Sequence, residues 1–326
     1  MGDLAMTTTR YPNLKPYLQD YNYWANGVAL LYTLSAYVGG ITLLFSAFWW
    51  LNGLGIVLLA HSLVYAELLA HEFLHGNIFP NPTWNEWGGN IMLWLFRGYF
   101  PPYQAQVQMH WRHHAGQVGS FNLGDYLRSL PPGGRRLVLS LEWLYIPAAH
   151  FLLQGYLLSV WLRSGSPLRQ RISIQLAVRL GCALLLGLFS LKALILYIVA
   201  HCLAVTLLRV VQLFQHAVVS GPQGKYEQTF SPLLSEHYPW LNVFFLNFTY
   251  HNAHHVMMRC PWHSLPQMDR QLATVQPMDH LPLLQLMANY HRFRIARLLN
   301  GTGQGADEQG NLTLEQFYGR LTLLGY

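Results

Sequence analysis

The sequence predicts an all-α integral membrane protein, with two transmembrane helical hairpins of about four spans under a cytoplasmic helical cap that holds a histidine-rich site. Three observations predict it. Hydrophobic residues make up 52% of the 326 and charged residues only 10%, against about 25% charged in a soluble domain, so much of the surface must face lipid. The long apolar runs come in two pairs. Histidines, 16 in all, cluster beside the ends of those runs.

The first run is Ala25 to Leu51 and the second Leu54 to Ala70, with Asn52 and Gly53 as the turn between them. About 20 apolar residues cross a bilayer, so residues 25–70 form a first hairpin. Residues 71–171 follow on the cytoplasmic side. Gly76 to Leu141 is mixed and polar, and Arg112, Arg128, Arg135 and Arg136 fit the preference of cytoplasmic loops for basic residues. Trp143 to Leu162 is read as an interfacial helix rather than a span, because that keeps Arg163, Arg169 and Arg171 on the same side. Ile172 to Leu213 is about twice one crossing. It splits into a second hairpin over 172–213, with its turn at Ser190 to Lys192. Arg179 and Arg209 lie near its ends, where long side chains reach the headgroups. Residues 214–326 return to the cytoplasmic side, and Leu281, Leu284, Met287, Ile295 and Leu298 mark helical cover there. One membrane domain over 1–326 is expected, with Gly301 to Gly310 an ordinary loop and no cleavable signal peptide in the first twenty residues.

The net charge of +6 is sparse and split around apolar spans, so it reads as membrane orientation and not as a nucleic-acid surface. Cys182, Cys202 and Cys260 form no CxxC pair, which points away from a thiolate zinc site or a disulfide framework.

The histidine spacing carries the chemistry. His71 and His75 are four apart where the second span ends. His110, His113 and His114 form one HxxHH cluster, and His251, His254 and His255 form another. Positions i, i+3 and i+4 share one helix face, so each HxxHH aims three imidazoles at one place. Imidazole binds zinc, copper, iron and nickel. Eight imidazoles exceed one tetrahedral zinc, whereas two metals of higher coordination would use them all. His216, just past the last span, is a ninth candidate. His61, His150, His201, His237, His263, His280 and His291 read as core or surface residues.

HEFLH at 71–75, HWRHH at 110–114 and HNAHH at 251–255, together with the hairpins before and between them, resemble the membrane fatty-acid desaturase and hydroxylase superfamily. The resemblance covers roughly residues 25 to 270 and implies two non-haem iron ions, O2 as co-substrate, a lipid-chain substrate and membrane lipids around it. It also implies a separate electron donor of ferredoxin, rubredoxin or cytochrome b5 type, since Pro131-Pro132-Gly133-Gly134 lacks the axial histidine of an HPGG haem motif. The implied metal ligands are His71, His75, His110, His113, His114, His216, His251, His254 and His255. Stearoyl-CoA desaturases carry an Asn four residues before the single histidine that contacts iron through water; Gln212 stands at that spacing from His216. The first box has three intervening residues, as in many bacterial and acyl-lipid desaturases.

These boxes serve desaturation, hydroxylation and oxidative decarboxylation alike, and desaturation is the expected reaction. Glu72, Glu86 and Asp125 are candidates to orient imidazoles, with Glu72 expected to point away from the His71/His75 face. Trp94, Phe96, Tyr99, Phe244 and Phe245 are candidate channel-lining residues, and Arg112, Arg135 and Arg136 candidate donor contacts. Two rival readings stand beside this one. HEFLH is also an HExxH zinc-protease signature with Glu72 as general base, which leaves most of the other clustered histidines unexplained. A metal transporter would place its polar residues inside the spans, whereas these flank them.

Overall fold

The computed structural model describes residues 13–115, 123–221, 224–275, 278–299 and 313–319. The segment before residue 13 and the expected loop at Gly301 to Gly310 lie outside the described residues. Four helices are long and apolar enough to cross a membrane. The first two are α1 (Tyr23–Leu44) and α2 (Trp49–Leu74). α3 (Pro82–Phe96), α4 (Tyr103–His114), α5 (Leu123–Ser129), α6 (Pro132–Trp143) and α7 (Ala148–Leu162) follow, and α8 (Ser166–Phe189) and α9 (Leu191–Gln212) complete the four. α7 has 15 residues, about 22 Å at 1.5 Å per residue, which is short of a span.

α1 runs between two exposed aromatic groups, Tyr23 and Trp24 at one end and Phe48, Trp49 and Trp50 beyond the other. From Trp24 to Leu44 is about 30 Å, the thickness of a hydrocarbon layer with aromatic rings at both edges. α1 and α2 cross at Gly40 and Gly55. A Cβ on Gly55 would lie 2.9 Å from the Gly40 carbonyl oxygen, and a Cβ on Gly40 would lie 2.9 Å from the Leu59 Cβ. Lipid tails are as apolar as leucine, so close backbone approach is what gains packing energy between such helices. From Ser62 to Leu74 every residue of α2 is buried, because α1, α3 and α9 all pack on it.

The turn of the first hairpin falls at residues 45–48, not at Asn52 and Gly53, which lie in the first turns of α2. Asn52 is there as a cap. Its Nδ2 lies within hydrogen-bonding distance of the carbonyls of Leu43 (2.9 Å), Leu44 (3.3 Å) and Ser46 (3.1 Å), so it donates to the carbonyls that end α1 and form the turn. Lys192 Nζ donates to Ser46 O and to Asn52 Oδ1, tying the second hairpin's turn to the first. That second turn is where the sequence places it, with Ser190 capping α9 through Ala193 N.

The remainder is α10 (His251–Val256), α11 (Leu265–Leu272), α12 (Leu283–Arg292) and α13 (Ala296–Leu299). The fold is mostly helical but not wholly so. β1 (His216–Gly221) pairs antiparallel with β2 (Gly224–Thr229), and β3 (Ser231–Leu233) pairs parallel with β4 (His280–Pro282). His216 therefore opens a strand. Backbone hydrogen bonds of a β-pair hold it, where no helix continues from α9.

Candidate metal centre

α2 outlasts the apolar run, so His71 sits in its last turn and His75 is its C-cap residue. Gly76, at φ +71, then turns the chain away. α4 is anchored to that same end, because Tyr103 Oη donates to Phe73 O. The segment before α10 is held by Asn247 Nδ2 on Trp262 O (3.1 Å) and by Ser231 Oγ on Asn252 N (3.1 Å). Gln215 Nε2 donates to Phe248 O (3.0 Å), which fixes the start of β1 beside it.

These anchors bring the histidine boxes to one place. His71, His75, His110, His114 and His254 form one group and His113, His216 and His255 a second, each with its ring nitrogens within 4.8 Å of one another. His251 joins the second group, its Nε2 2.8 Å from that of His216. The two groups touch through the His114 and His255 rings, 4.6 Å apart. Each HxxHH is thus divided between the groups, contrary to the expectation of three imidazoles aimed at one place. The cause is angular: adjacent helical residues are about 100° apart, so His113 and His114 leave α4 in different directions, as do His254 and His255 on α10.

The nitrogens fit a metal better than they fit one another. Nε2 atoms run in a chain, His75 to His110 at 2.8 Å, His110 to His114 at 3.1 Å and His114 to His254 at 3.2 Å. A ring nitrogen offers one lone pair or one N–H, so a nitrogen facing two others cannot be satisfied on both sides by hydrogen bonds that alternate along the chain without leaving a clash of like groups. A cation satisfies all of them. Two nitrogens bound at right angles to an ion at about 2.1 Å stand about 3.0 Å apart, close to the observed spacings. Burial, and then the neighbouring imidazoles, push His75, His110, His114, His251 and His254 well below the usual histidine range, and burial pushes His255 down to about 3. Neutral rings present lone pairs, the form a metal takes.

Of the proposed orienting acids, Glu72 is the one at the site. It is buried, with Oε1 3.6 Å from His71 Nδ1. Its Oε2 accepts from Trp262 N (3.0 Å) and Asn77 Nδ2 (3.1 Å). Being adjacent to His71 in sequence does not turn it from the ring's far nitrogen. Asp125 instead pairs with Arg128 on the surface of α5, and Glu86 is half-buried on α3. Gln212 is buried at the end of α9, one turn before His216. Of the aromatic candidates, Phe96 and Phe245 lie in the main core with Trp94 packed against it, Phe244 packs on His61 and on Phe245, and Tyr99 meets Trp161.

One further contact was not among the candidate residues. Arg97 donates to both oxygens of Glu67 and, through Nη1, to Gln106 Oε1 at 3.4 Å. Glu67 stands four residues before His71 and Gln106 four before His110, so one guanidinium ties the two helices a turn beneath their ligands. The signal available was Glu67 itself, an acid inside an apolar run that must find a cation.

A family model for fatty acid desaturases matches residues 47–286, a stretch that contains every clustered histidine. The chain belongs to the fatty acid desaturase family. No curated protein sequence matches it. Membership of this desaturase family, with four bilayer-length apolar helices and the histidine groups at their ends, makes the chain an integral membrane oxidoreductase of lipid metabolism.

Proposed function

We propose that this desaturase is an oxygen-dependent di-iron enzyme that removes hydrogen from an unactivated C–H bond of a fatty acyl or similar lipid chain, forming a double bond. The observation that supports it most is the division of nine histidines into two touching groups, enough nitrogen for two ions and too much for one. When bound, two irons would supply the redox chemistry with O2 that no acid–base side chain can perform on an alkyl chain.

The protein's part is to hold and shield. His71, His75, His110, His114 and His254 would hold one ion and His113, His216, His251 and His255 the other, with Gln212 placed to act through a water. Glu72 holds the His71 ring from its far side. Phe248, with its ring 4.8 Å from that of His71, gives the group an apolar wall that excludes water. Electrons would come from a separate small carrier of ferredoxin, rubredoxin or cytochrome b5 type. Arg112 and Arg136, exposed on α4 and α6, offer it a basic face on the cytoplasmic side.

The protease alternative asks the Glu72 carboxylate to face a metal-bound water. That carboxylate is instead engaged by Trp262 and Asn77, and with one more ligand for zinc at least six of the clustered histidines would have no task. Metal analysis of protein purified without added metal tests the proposal. About two irons per chain are expected, and one zinc without iron would overturn it. Incubation with donor, O2 and acyl substrates then separates the products. An alkene of unchanged length supports desaturation, whereas an alcohol or a chain one carbon shorter assigns the same centre to hydroxylation or decarboxylation.

A further inference from the structure

Away from the histidines, beside the site-side end of α9, a small pocket is lined by Glu142, Tyr145, Arg209, Tyr290, Arg294 and Arg297. Its charges do not balance. Arg209 Nη1 donates to both oxygens of Glu142, at 3.0 and 3.1 Å, so the pocket's one carboxylate is taken. Two guanidiniums remain. Arg297 is buried, 3% exposed. Its Nε and Nη2 donate to the carbonyls of Phe293, Asn289 and Tyr290, while its Nη1 has no partner among the described residues. Arg294 donates to the carbonyls of Trp143 and His291. These bonds cap the end of α12, and that is a structural use for both side chains. Carbonyls are uncharged, however, so they satisfy donors without neutralising cations. Burial lowers the Arg297 guanidinium to about 10, and it remains charged at neutral pH. A buried, incompletely bonded cation next to a second one favours an anion.

The position says which anion. Arg209 is eighteen residues along α9 from the far-side turn, about 27 Å, so it lies at the edge of a hydrocarbon layer about 30 Å thick. The loop beside it, Trp143, Leu144, Tyr145 and Ile146, exposes four large apolar side chains in a row. Its depth is marked by the Tyr145 carbonyl, 3.4 Å from Thr206 Oγ1 three residues before Arg209 on α9. Arg294 stacks over the rings of Trp143 and Tyr145, at 4.9 and 5.9 Å. Exposed aromatic rings with an arginine among them suit the headgroup layer. We propose that this pocket binds the phosphate of an anionic membrane phospholipid, with the Trp143–Ile146 loop against its acyl chains. Basic pockets at this depth between membrane helices are suited to such headgroups. The site shares no residue with the metal centre and stands whichever reaction that centre performs.

The test uses full-length protein, stripped of lipid in detergent and titrated by native mass spectrometry with dioctanoyl phosphatidylglycerol and dioctanoyl phosphatidylcholine. Tighter binding of the anionic lipid is expected, falling about tenfold in R294Q. R292Q, changing an exposed arginine on the same helix, should leave it unchanged. R294Q carries the test because Arg294 is only half-buried and Gln can still donate to one of its carbonyls, whereas changing the buried Arg297 would remove three bonds at the end of α12. Equal affinity for the two lipids, or an R294Q protein that binds as the parent does, would overturn the proposal. So would displacement of the lipid by equimolar inorganic phosphate or octanoate, which would assign the pocket to a free anion or to a substrate carboxylate.

Discussion

Glu67 and Arg97 form a buried ion pair one helical turn beneath the metal centre, with both partners under a tenth exposed. Removing one member of such a pair strands a charge and costs about 3–5 kcal/mol. Arg97→Ala should therefore lower the unfolding midpoint strongly. It should also loosen α2 against α4, so that metal content falls although no ligand has been touched. The E67Q/R97M double variant, which leaves no charge behind, should regain much of the stability. Thermal unfolding in detergent with metal analysis on the same samples measures both.

The two histidine groups make separable predictions. His254 belongs to the group of five and His255 to the group of four that includes His251. H254A and H255A should each reduce bound metal to about one ion per chain, and the double variant should remove nearly all of it. If either single variant empties both positions, the groups do not bind independently. His237, exposed and beside Tyr238, is the control and should change nothing.

Much of this was legible in the sequence. Run length predicts four bilayer-length helices once the arginines after Leu162 set the Trp143 to Leu162 run aside, the i, i+4 and i, i+3, i+4 spacings single out eight of the clustered histidines, and the place of His216 just past the last span gives the ninth. Three features were not legible, for different physical reasons. Asn52 followed by Gly53 is ordinarily turn chemistry, but the neighbouring α1 gives Asn52 a use inside a helix, as donor to the carbonyls at that helix's end. The division of each HxxHH between two groups depends on where the partner helices sit around it, which spacing does not contain. The Arg97 contact is a pairing across 30 residues, and Glu67 announces only that some cation must come.

His280 gives a pH dependence. Its hydrogen bond to Asp269, Nε2 to Oδ2 at 2.9 Å, raises its pKa above the usual histidine value against the opposing effect of burial. A group whose pKa is raised on folding contributes stability that is complete below the unfolded value of about 6.5 and is lost as pH climbs through the folded value. His280 starts β4 and Asp269 lies on α11, so what loosens is the join between the C-terminal helices and the third histidine box. The stability that this pair adds, read as the difference between the unfolding midpoints of the parent and of Asp269→Asn, should shrink as pH rises above about 6.5. His75, His110, His251 and His254 are held far below this range. They stay neutral in the fold and take up protons only on unfolding, so they add stability that grows as pH rises through the usual histidine value of about 6.5, and the His280 contribution is read as a difference between variants.

Glu72 separates an orienting role from a proton-transferring one. Its carboxylate receives the Trp262 N–H and the Asn77 amide on one oxygen and lies 3.6 Å from His71 Nδ1 with the other. Glu72→Gln keeps a carbonyl oxygen for the Trp262 N–H but removes the charge that favours a proton on His71 Nδ1, and so weakens Nε2 as a donor to metal. Changes at such a supporting residue cost about 10–100-fold in metal affinity or activity, so iron content at limiting metal should fall and product formation with it. Restoring excess iron should recover most of the activity. Glu72→Ala should be worse in a different way, because it strands the buried Trp262 N–H and Asn77 amide at about 1–3 kcal/mol each, and its defect should show in unfolding. A Glu72→Gln protein that keeps its full metal complement yet loses turnover by more than about a thousandfold would place the carboxylate in direct proton transfer, and would return the general-base reading of the HEFLH motif to consideration.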